Sequence, residues 1–437
     1  MKVGDPRKEN VLNVLAIIGV TWYSFLWVFS LVGCLTGRKR YRHRPRSPLS
    51  SAPPSNVPGV SILRPLKGLD ANLYENLEST FLQEYPKFEI LFSVAEENDQ
   101  ALTVVRDLLQ KYPQVDAKFI IGEEVVGVNP KVNNLIRSYR QAAHDILWVL
   151  DSNVFATSGT LARSVGTLLS LPASSSSPTT TKLKRVGLIH HVPFAFISQQ
   201  LIGARMEEAF LNTNHAKMYI ALNTFAFDSC VVGKSNMYRR SDIEQLRSSR
   251  NSESENKTLE GPRGLAAFGR YLAEDNMIAA ALWHELGLRH ELSCDTACNT
   301  VGNMSFWTYV WRRVRWIRVR KHMVAAATLV EPFTECVALS LIAAWSLNRL
   351  VAIPPWLPLI LHYVPWMLVD LDVYESLAGQ SLPAERRLGF LKAWLVRELL
   401  ALPVWVLAIV GNEVEWRGKS YQVMRNSEVQ QTSTPKV

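Results

Sequence analysis

The chain has 437 residues, with 48 Lys and Arg against 39 Asp and Glu, so its formal net charge is +9. Hydrophobic residues make up 48% of the chain, which excludes a largely disordered protein. They concentrate towards the two ends, a distribution that favours a membrane protein with a water-facing middle over a uniformly soluble one.

The first predicted element is a membrane anchor. Val11 to Leu35 contains no charged residue, and a helix of that length is long enough to cross ~30 Å of hydrocarbon. A basic stretch follows directly, and Lys and Arg beside a span stay on the cytosolic side. We therefore expect residues 1–10 to face the lumen, 11–35 to span the membrane and 36–58 to form a basic, proline-rich cytosolic linker.

Strand and helix patterns alternate through the middle of the chain. The predicted strands are Val60–Leu63, Phe88–Val94, Phe119–Ile121, Ile146–Leu150 and Val186–His190, and the predicted helices are Asn72–Gln83, Leu102–Lys111, Lys131–Ala143 and Ser158–Ser170. This alternation predicts an α/β catalytic domain over 59–302 with a largely parallel sheet, whose ligands gather at the carboxyl ends of its strands. Two polar tracts, 174–184 and 247–264, are interpreted as surface insertions.

The C-terminal part returns to an apolar composition. Residues 303–322 mix Lys and Arg with aromatic residues, which predicts an amphipathic helix at the bilayer surface, and residues 323–411 precede a tail at 412–437. The candidate membrane segments are Met323–Leu347, Ile353–Leu371 and Leu391–Val410. Glu331 and Glu335 would share a helical face of the first segment and border a polar slot, unless that helix begins later.

Two carboxylate positions are candidates for chemistry. Asp151 directly follows a predicted strand, where it either caps a loop or binds a divalent cation that neutralises a diphosphate. Glu274 and Asp275 begin a predicted helix, where they either match the helix dipole or supply a general base. The residue pattern alone leaves both choices open.

Two basic motifs are candidates for binding an anion. Arg312 and Arg315 share a helical face with Trp316 beside them, so they either grip one anionic group or contact lipid headgroups. Lys131 and Asn134, where a loop leads into a helix, suit a phosphate or a sugar hydroxyl, or are simply polar surface.

The order of these motifs resembles that of the inverting, membrane-bound nucleotide-sugar glycosyltransferases with the GT-A fold, in which three acidic motifs precede a Q/R-x-x-R-W element. Seven strings resemble the ceramide glucosyltransferase family: Val60-Ser-Ile-Leu-Arg-Pro-Leu-Lys-Gly68, Val126-Gly-Val-Asn-Pro-Lys-Val-Asn-Asn134, Val186-Gly-Leu-Ile-His190, Cys230-Val-Val-Gly233, Glu274-Asp275, Arg312-x-x-Arg315-Trp316 and Glu331-Pro-Phe-Thr-Glu-Cys336. The resemblance runs from Val57 to Gln422. It implies a Rossmann-like GT-A cytosolic domain with N-terminal and C-terminal transmembrane helices.

The resemblance implies transfer of glucose from UDP-glucose to the primary hydroxyl of ceramide with inversion, giving glucosylceramide and UDP. The expected location is a multi-pass position in the Golgi membrane with the catalytic domain facing the cytosol. The expected partners are UDP-glucose, ceramide and the lipid bilayer, with no nucleic acid, and no oligomeric state follows from the sequence. The alternatives are a polymerising β-glycosyltransferase, a dolichyl-phosphate glycosyltransferase and a non-catalytic lipid-binding protein, the last of which would not need the paired carboxylates.

The resemblance also implies roles for individual residues. Asp275 becomes the general base that takes the ceramide hydroxyl proton, and Asp151 holds Mg²⁺ or Mn²⁺ against the UDP diphosphate. Arg312, Arg315 and Trp316 would close over that diphosphate and line the acceptor entrance. The other implied positions are Lys131 and Asn134 at the nucleotide-sugar, Pro65 and Lys67 at the uridine end, and His190 and Cys230 near the pocket.

The sequence departs from the family pattern at two acidic motifs. Glu96 stands where the first motif carries Asp, so either Glu96 binds the nucleotide-sugar with a shifted loop or Asp99 takes its place. Asn153 replaces the second Asp of a full D-x-D. One charged ligand is thereby lost, which leaves the identity of the metal open.

Overall fold

The computed structural model describes residues 6–170, 185–246, 261–416 and 418–432. The polar tract 174–184 and most of the tract 247–264 lie outside the described residues. Two compact units are present. The sheet unit comprises His43–Gln200, Phe225–Asn303 and Glu413–Val437, and the helical unit comprises Met1–Arg42, Leu201–Thr224 and Met304–Asn412, as far as these ranges are described.

The helices of the described chain are α1 (Pro6–Tyr41), α2 (Leu73–Phe81), α3 (Ala101–Lys111), α4 (Pro130–Gln141), α5 (Thr160–Leu169), α6 (Ile202–Ala209), α7 (Ala216–Phe225), α8 (Arg240–Ile243), α9 (Glu274–His284), α10 (Phe306–Arg320), α11 (Ala325–Val330), α12 (Cys336–Val351), α13 (Trp356–Ala378) and α14 (Ala384–Val410). The strands are β1 (Val60–Leu66), β2 (Phe88–Val94), β3 (Ala117–Ile121), β4 (Ile146–Leu150), β5 (Val154–Phe155), β6 (Val186–Ile197), β7 (Ser235–Arg239), β8 (Arg289–Val301), β9 (Glu413–Trp416), β10 (Lys419–Val423) and β11 (Val429–Gln431).

The sheet unit is built on an eight-stranded sheet in the order β3-β2-β1-β4-β7-β6-β8-β5. Its first four strands run parallel, as do β6 and β8, whereas β7 is antiparallel to both of its neighbours and β5 is antiparallel to β8. The predicted α/β class is confirmed, with a sheet that is mixed in its second half. Strands β9 to β11 form a separate antiparallel sheet.

Alternation along the parallel strands builds two apolar layers. Ile62 and Trp148 lie in the core on one face of the sheet, and Leu63 and Leu147 lie in the core on the other. Successive side chains of a strand point to opposite faces, and helices cover both, so β1 and β4 are buried along their whole length. The carboxyl ends of β1, β2 and β4 consequently meet at one edge, which places Asp151 on that edge.

In the helical unit, α1 begins at Pro6 and continues to Tyr41, beyond the predicted end at Leu35. The last turn contains Arg38, Lys39 and Arg40, and cations near a helix C-terminus interact favourably with the helix dipole. Among the described helices, α1 and α14 are long and apolar enough to cross a membrane.

The first C-terminal membrane segment differs from the expectation of one helix over Met323–Leu347. Helix α11 ends at Val330, a 3₁₀ turn follows at Glu331–Thr334, and α12 begins only at Cys336 after a bend of 71°. Pro332 stands in the first turn of the 3₁₀ segment, where its ring and missing N–H prevent continuation of the preceding helix. If this bent pair is one span, the described chain has three candidate spans.

The expectation that Glu331 and Glu335 share a helical face is therefore wrong, and the alternative of a later helix start is the one observed. Glu335 is the N-cap residue of α12 and lies 3.0 Å from Arg397, whereas Glu331 pairs with Arg320. Each carboxylate thus has its own arginine within the helical unit.

Candidate active site

The candidate site of the sheet unit is centred on the Lys131 ammonium, which contacts three carboxylates. Its Nζ atom lies 3.1 Å from Oδ1 of Asp151, 2.8 Å from Oε1 of Glu274 and 2.9 Å from Oδ2 of Asp275. Asp151 follows β4, whereas Glu274 and Asp275 begin α9. Glu274 comes 123 residues after Asp151 in the chain. The structure therefore brings together three acidic residues that the sequence presented as two separate motifs.

The Asn129 side chain helps to position Lys131 in this cluster. Its side chain caps α4 by accepting hydrogen bonds from the N–H groups of Lys131 and Val132, and Pro130 occupies the first helical position. Its amide nitrogen also donates to Oε2 of Glu274 at 2.7 Å. One side chain therefore joins the start of α4 to the start of α9.

Charge pairing and burial set the protonation of the cluster. Burial opposes the charge of Lys131, but the three carboxylates outweigh burial and hold the pKa of Lys131 well above its usual value. Burial likewise opposes ionisation of Asp151, yet Lys131 and Lys234 lower the pKa of Asp151 to about 2. Burial, reinforced by the charge of Asp275, raises the pKa of Glu274 to about 8. At neutral pH Asp151 is therefore ionised and Lys131 is protonated, whereas burial and the neighbouring charge favour the protonated form of Glu274.

Two residues at the amino end of β7 complete the site. Lys234 Nζ lies 3.0 Å from Oδ2 of Asp151, and Asn236 Nδ2 donates to Oδ1 of Asp275 at 3.1 Å. The antiparallel pairing of β4 with β7 sets Leu150 opposite Ser235, which brings this end of β7 to the carboxyl edge of the sheet. Sequence reasoning missed both residues, although the string Cys230-Val-Val-Gly233 ends one position before Lys234.

The residues around Asp151 are a poor set of ligands for a resident cation. Mg²⁺ binds through one or two carboxylates together with substrate phosphates, so one Asp could suffice. Both oxygens of Asp151, however, are held by ammonium groups, and Oδ1 of Asn153 accepts from Lys234 at 3.2 Å. Within the described residues no three His, Cys, Asp or Glu side chains are grouped in a way that could hold a metal ion. As arranged, the site does not fit a divalent cation.

The predicted nucleotide-sugar residues of β1 and α4 meet at the same edge of the sheet. Pro65 is buried in β1, Lys67 is exposed just after it, and Asn134 donates to the backbone carbonyls of Leu66 and Ser93 at 3.1 Å each. The Oδ1 atom of Asn134 is buried and accepts no hydrogen bond from the described residues. The side chain of Asn134 therefore joins the start of α4 to the carboxyl ends of β1 and β2.

The two candidates for the first acidic motif differ in what they contact. The Asp99 carboxylate accepts hydrogen bonds from the backbone N–H groups of Gly68 and Ala101, so it holds two loops together. Glu96 is exposed at the turn after β2. This difference favours Glu96 over Asp99 as the residue available to a ligand.

His190 lies in β6 and is fully buried. It is paired in register with Asn236 of β7, and directly opposite residues of neighbouring strands project to the same face. Since Asn236 contacts Asp275, His190 is one strand away from the carboxylate cluster. Cys230 is half-buried and lies in the loop before β7, and all five cysteines are free thiols.

The Arg312, Arg315 and Trp316 motif lies on α10 of the helical unit. The Nε atom of Arg312 donates to Oε1 of Glu207 at 2.8 Å, and its guanidinium lies 4.9 Å from the centroid of the Trp316 ring. Glu207 is fully buried, so Arg312 compensates a charge within this unit. The neighbouring Arg313, which the sequence interpretation passed over, stacks 3.6 Å from the ring centroid of Phe210.

The chain is similar over most of its length to known glycosyltransferases. The sequence profile of Glycosyl transferase family 21 matches residues 25–429. The ceramide glucosyltransferase of Komagataella phaffii is 36% identical, with 97% of this chain and 94% of the relative aligned. The ceramide glucosyltransferase of Candida albicans is 31% identical over 84% of this chain and 87% of its own length. Ceramide glucosyltransferase 3 of Caenorhabditis elegans is 30% identical over 95% of this chain and 82% of its own.

Among solved structures, the mannosyltransferase PcManGT from Pyrobaculum calidifontis in complex with GDP-Man and Mn²⁺ aligns with 91% of this chain and 98% of its own. The sequence identity is 18% and the TM-score is 0.43.

Proposed function

The chain belongs to glycosyl transferase family 21, and on that premise we propose that it transfers glucose from UDP-glucose to the primary hydroxyl of ceramide with inversion, releasing UDP. The acceptor follows from the ceramide glucosyltransferases to which the chain is similar over nearly its full length. The products are β-glucosylceramide and UDP.

Asp275 is the proposed general base. An alcohol is too weak an acid to ionise at neutral pH, so a positioned carboxylate must take its proton as the oxygen attacks the anomeric carbon. Asp275 is 12% exposed, and Asn236 and Lys131 each contact one of its oxygens, so its orientation is fixed while an edge stays accessible. Glu274 is more deeply buried and is bound to Asn129, which suits a positioning residue better than a base.

Lys131 is the proposed link between the donor side and the acceptor side of the reaction. Its ammonium contacts Asp151 and Asp275 together, so a donor phosphate beside this ammonium lies close to the base. A diphosphate that approaches this ammonium gains electrostatic stabilisation as negative charge develops on the leaving group. Asn134, Pro65, Lys67 and Glu96 are the proposed contacts of the nucleotide end.

The helical unit is proposed to deliver the acceptor. It contains α1 and α14, which are apolar enough to cross a membrane, together with α10 and its arginine motif. We propose that Arg312, Arg315 and Trp316 contact the donor diphosphate or the acceptor, and that the protein lies in the Golgi membrane with its catalytic unit in the cytosol. Basic residues immediately after the apolar stretch of α1 support this orientation.

The observation that carries the proposal is the shared contact of Asp151 and Asp275 with Lys131 at the carboxyl edge of the sheet. The test is an incubation of membranes containing the chain with UDP-glucose and a ceramide. We expect glucosylceramide whose anomeric proton shows β-coupling by NMR. A long sugar polymer, or transfer to dolichyl phosphate in place of ceramide, would contradict the proposal in favour of another glycosyltransferase activity.

A further inference from the structure

Lys234 occupies a position that the sheet fixes beside Asp151. The backbone carbonyl of Lys234 accepts a hydrogen bond from the N–H of Asp151 at 3.1 Å, directly next to the paired residues Leu150 and Ser235. The Lys234 side chain is 15% exposed and the Asp151 side chain 19%, so both border an accessible region. The strand pairing therefore holds this ammonium at the end of β4.

The Lys234 ammonium joins the two side chains of the incomplete D-x-D motif. It lies 3.0 Å from Oδ2 of Asp151 and 3.2 Å from Oδ1 of Asn153. A divalent cation shared by these residues would have to bind the same two oxygens, at about 2.0–2.6 Å. The ammonium and such a cation therefore compete for one position.

The second ammonium strengthens this competition. Lys131 holds the other oxygen of Asp151 at 3.1 Å, so a cation on Asp151 would face two positive charges at close range. Moving either ammonium away from Asp151 costs free energy, because each compensates the charge of a carboxylate that is largely buried. The replacement of the second Asp by Asn153 removes the negative charge that would have offset this repulsion.

We propose that Lys234 supplies the positive charge that binds the donor diphosphate at the Asp151–Asn153 turn, in the position of a divalent cation. This proposal rests on the proposed UDP-sugar donor. Lys234 has three ammonium protons, two of which contact Asp151 and Asn153, so the third is available to a phosphate oxygen. Binding of the nucleotide then needs no added metal.

The test measures UDP affinity by calorimetry on the purified full chain, in EDTA and in Mn²⁺, and Mn²⁺ binding by electron paramagnetic resonance. The native chain is expected to bind UDP in EDTA within about threefold of its affinity in Mn²⁺. Lys234→Met is expected to lose about tenfold or more of its UDP affinity in EDTA, to recover in Mn²⁺, and to bind Mn²⁺ more tightly than the native chain. Lys234→Arg keeps the charge and should bind UDP in EDTA.

Lys111→Met is the matched control, since Lys111 is half-exposed and pairs with Glu78 away from the site. It should leave UDP and Mn²⁺ binding unchanged. The inference is overturned if EDTA abolishes UDP binding to the native chain, and this result does not depend on the folding of any variant. It is also overturned if Lys234→Met binds UDP in EDTA as tightly as the native chain does. In either case glucosylceramide would still form with Mn²⁺ present, whereas failure of the proposed function gives no UDP binding and no product under any condition.

Discussion

Gly233 and Asp275 are in such close contact that a Cβ atom on Gly233 would overlap the Asp275 carboxylate. The loop before β7 thus forms one wall of the space that Asp275 occupies, and Asn236 on the same strand donates to it. The orientation of the proposed base depends on a residue with no side chain.

Replacing Gly233 with Ala should displace the Asp275 carboxylate. A shift of about 1 Å in a catalytic group can reduce the rate about 100-fold, so we expect kcat for glucosyl transfer to fall on that order with a smaller change in KM for UDP-glucose. Gly166→Ala is the control, because among the described residues a Cβ there meets only Leu49 and Ser47, at ordinary contact distance. Unchanged kcat in Gly233→Ala would show that this contact does not position the base.

Glu274 should make the stability of the protein depend on pH. Its pKa is raised to about 8 in the folded chain from a usual value of 4.5, so the folded state holds the proton more tightly than the unfolded state. Its contribution to stability is complete below about pH 4.5 and is lost as the pH rises through 8, by at most about 1.4 kcal/mol per pH unit.

Glu274→Gln cannot ionise and removes this dependence. We therefore expect the Tm of Glu274→Gln, relative to the native chain, to increase as the pH rises from 5 to 8. The measurement is thermal unfolding of both chains across that range. Tm curves that stay parallel would show that Glu274 is already ionised in the folded protein at the lower pH.

Asn129→Ala should destabilise the sheet unit, because Asn129 both caps α4 and donates to the buried Glu274. Loss of the cap and of this hydrogen bond is expected to cost about 2 kcal/mol, measured as the free energy of unfolding. Asn129→Ser keeps a capping oxygen and loses the two hydrogen bonds that the amide nitrogen donates to Glu274 and to the backbone carbonyl of Tyr271, so it should fall between the native chain and Asn129→Ala. Equal losses in the two variants would assign the whole effect to these two hydrogen bonds and none of it to the cap.

The strands and helices that have a clear local sequence pattern are predicted from the sequence. The alternation of β1, α2, β2, α3, β3, α4 and β4 follows from apolar runs and helical periodicity over short stretches, and Asp151 follows a strand that is recognisable by itself. The position of Lys234 depends instead on β7, a five-residue strand with mixed composition that pairs antiparallel between β4 and β6. Such a pairing joins segments more than 80 residues apart, and neither segment contains a local signal for it.

Proline and backbone hydrogen bonds explain two further differences between the expectations from the sequence and the structure. Pro332 ends the helix that was expected to contain both Glu331 and Glu335. Asp99 and Glu96 look interchangeable in the sequence, but only the structure reveals that the backbone of Gly68 and Ala101 already donates to Asp99. In both cases the neighbouring backbone determines where a carboxylate lies or which hydrogen bonds it accepts.

Arg312 is expected to stabilise the helical unit, whatever its role in transfer. Arg312→Ala leaves Glu207 buried without its ion pair, which should cost roughly 3 kcal/mol of stability. The double variant Arg312→Ala, Glu207→Gln should recover most of the Tm, because it removes the uncompensated charge. If Arg312 also contacts donor or acceptor, glucosyl transfer stays impaired in the double variant, and full recovery of activity would leave Arg312 with a structural role alone.

Asp275 is proposed to take the proton of the acceptor hydroxyl. The most direct measurement compares the initial rate of glucosylceramide formation by the native chain and Asp275→Asn, at saturating UDP-glucose and ceramide and equal amounts of protein. Asp107→Asn, on the exposed face of α3, serves as control. We predict a fall of about 10²–10⁴-fold for Asp275→Asn with UDP binding retained, and no change in the control. A rate for Asp275→Asn equal to that of the native chain would show that Asp275 is not the general base.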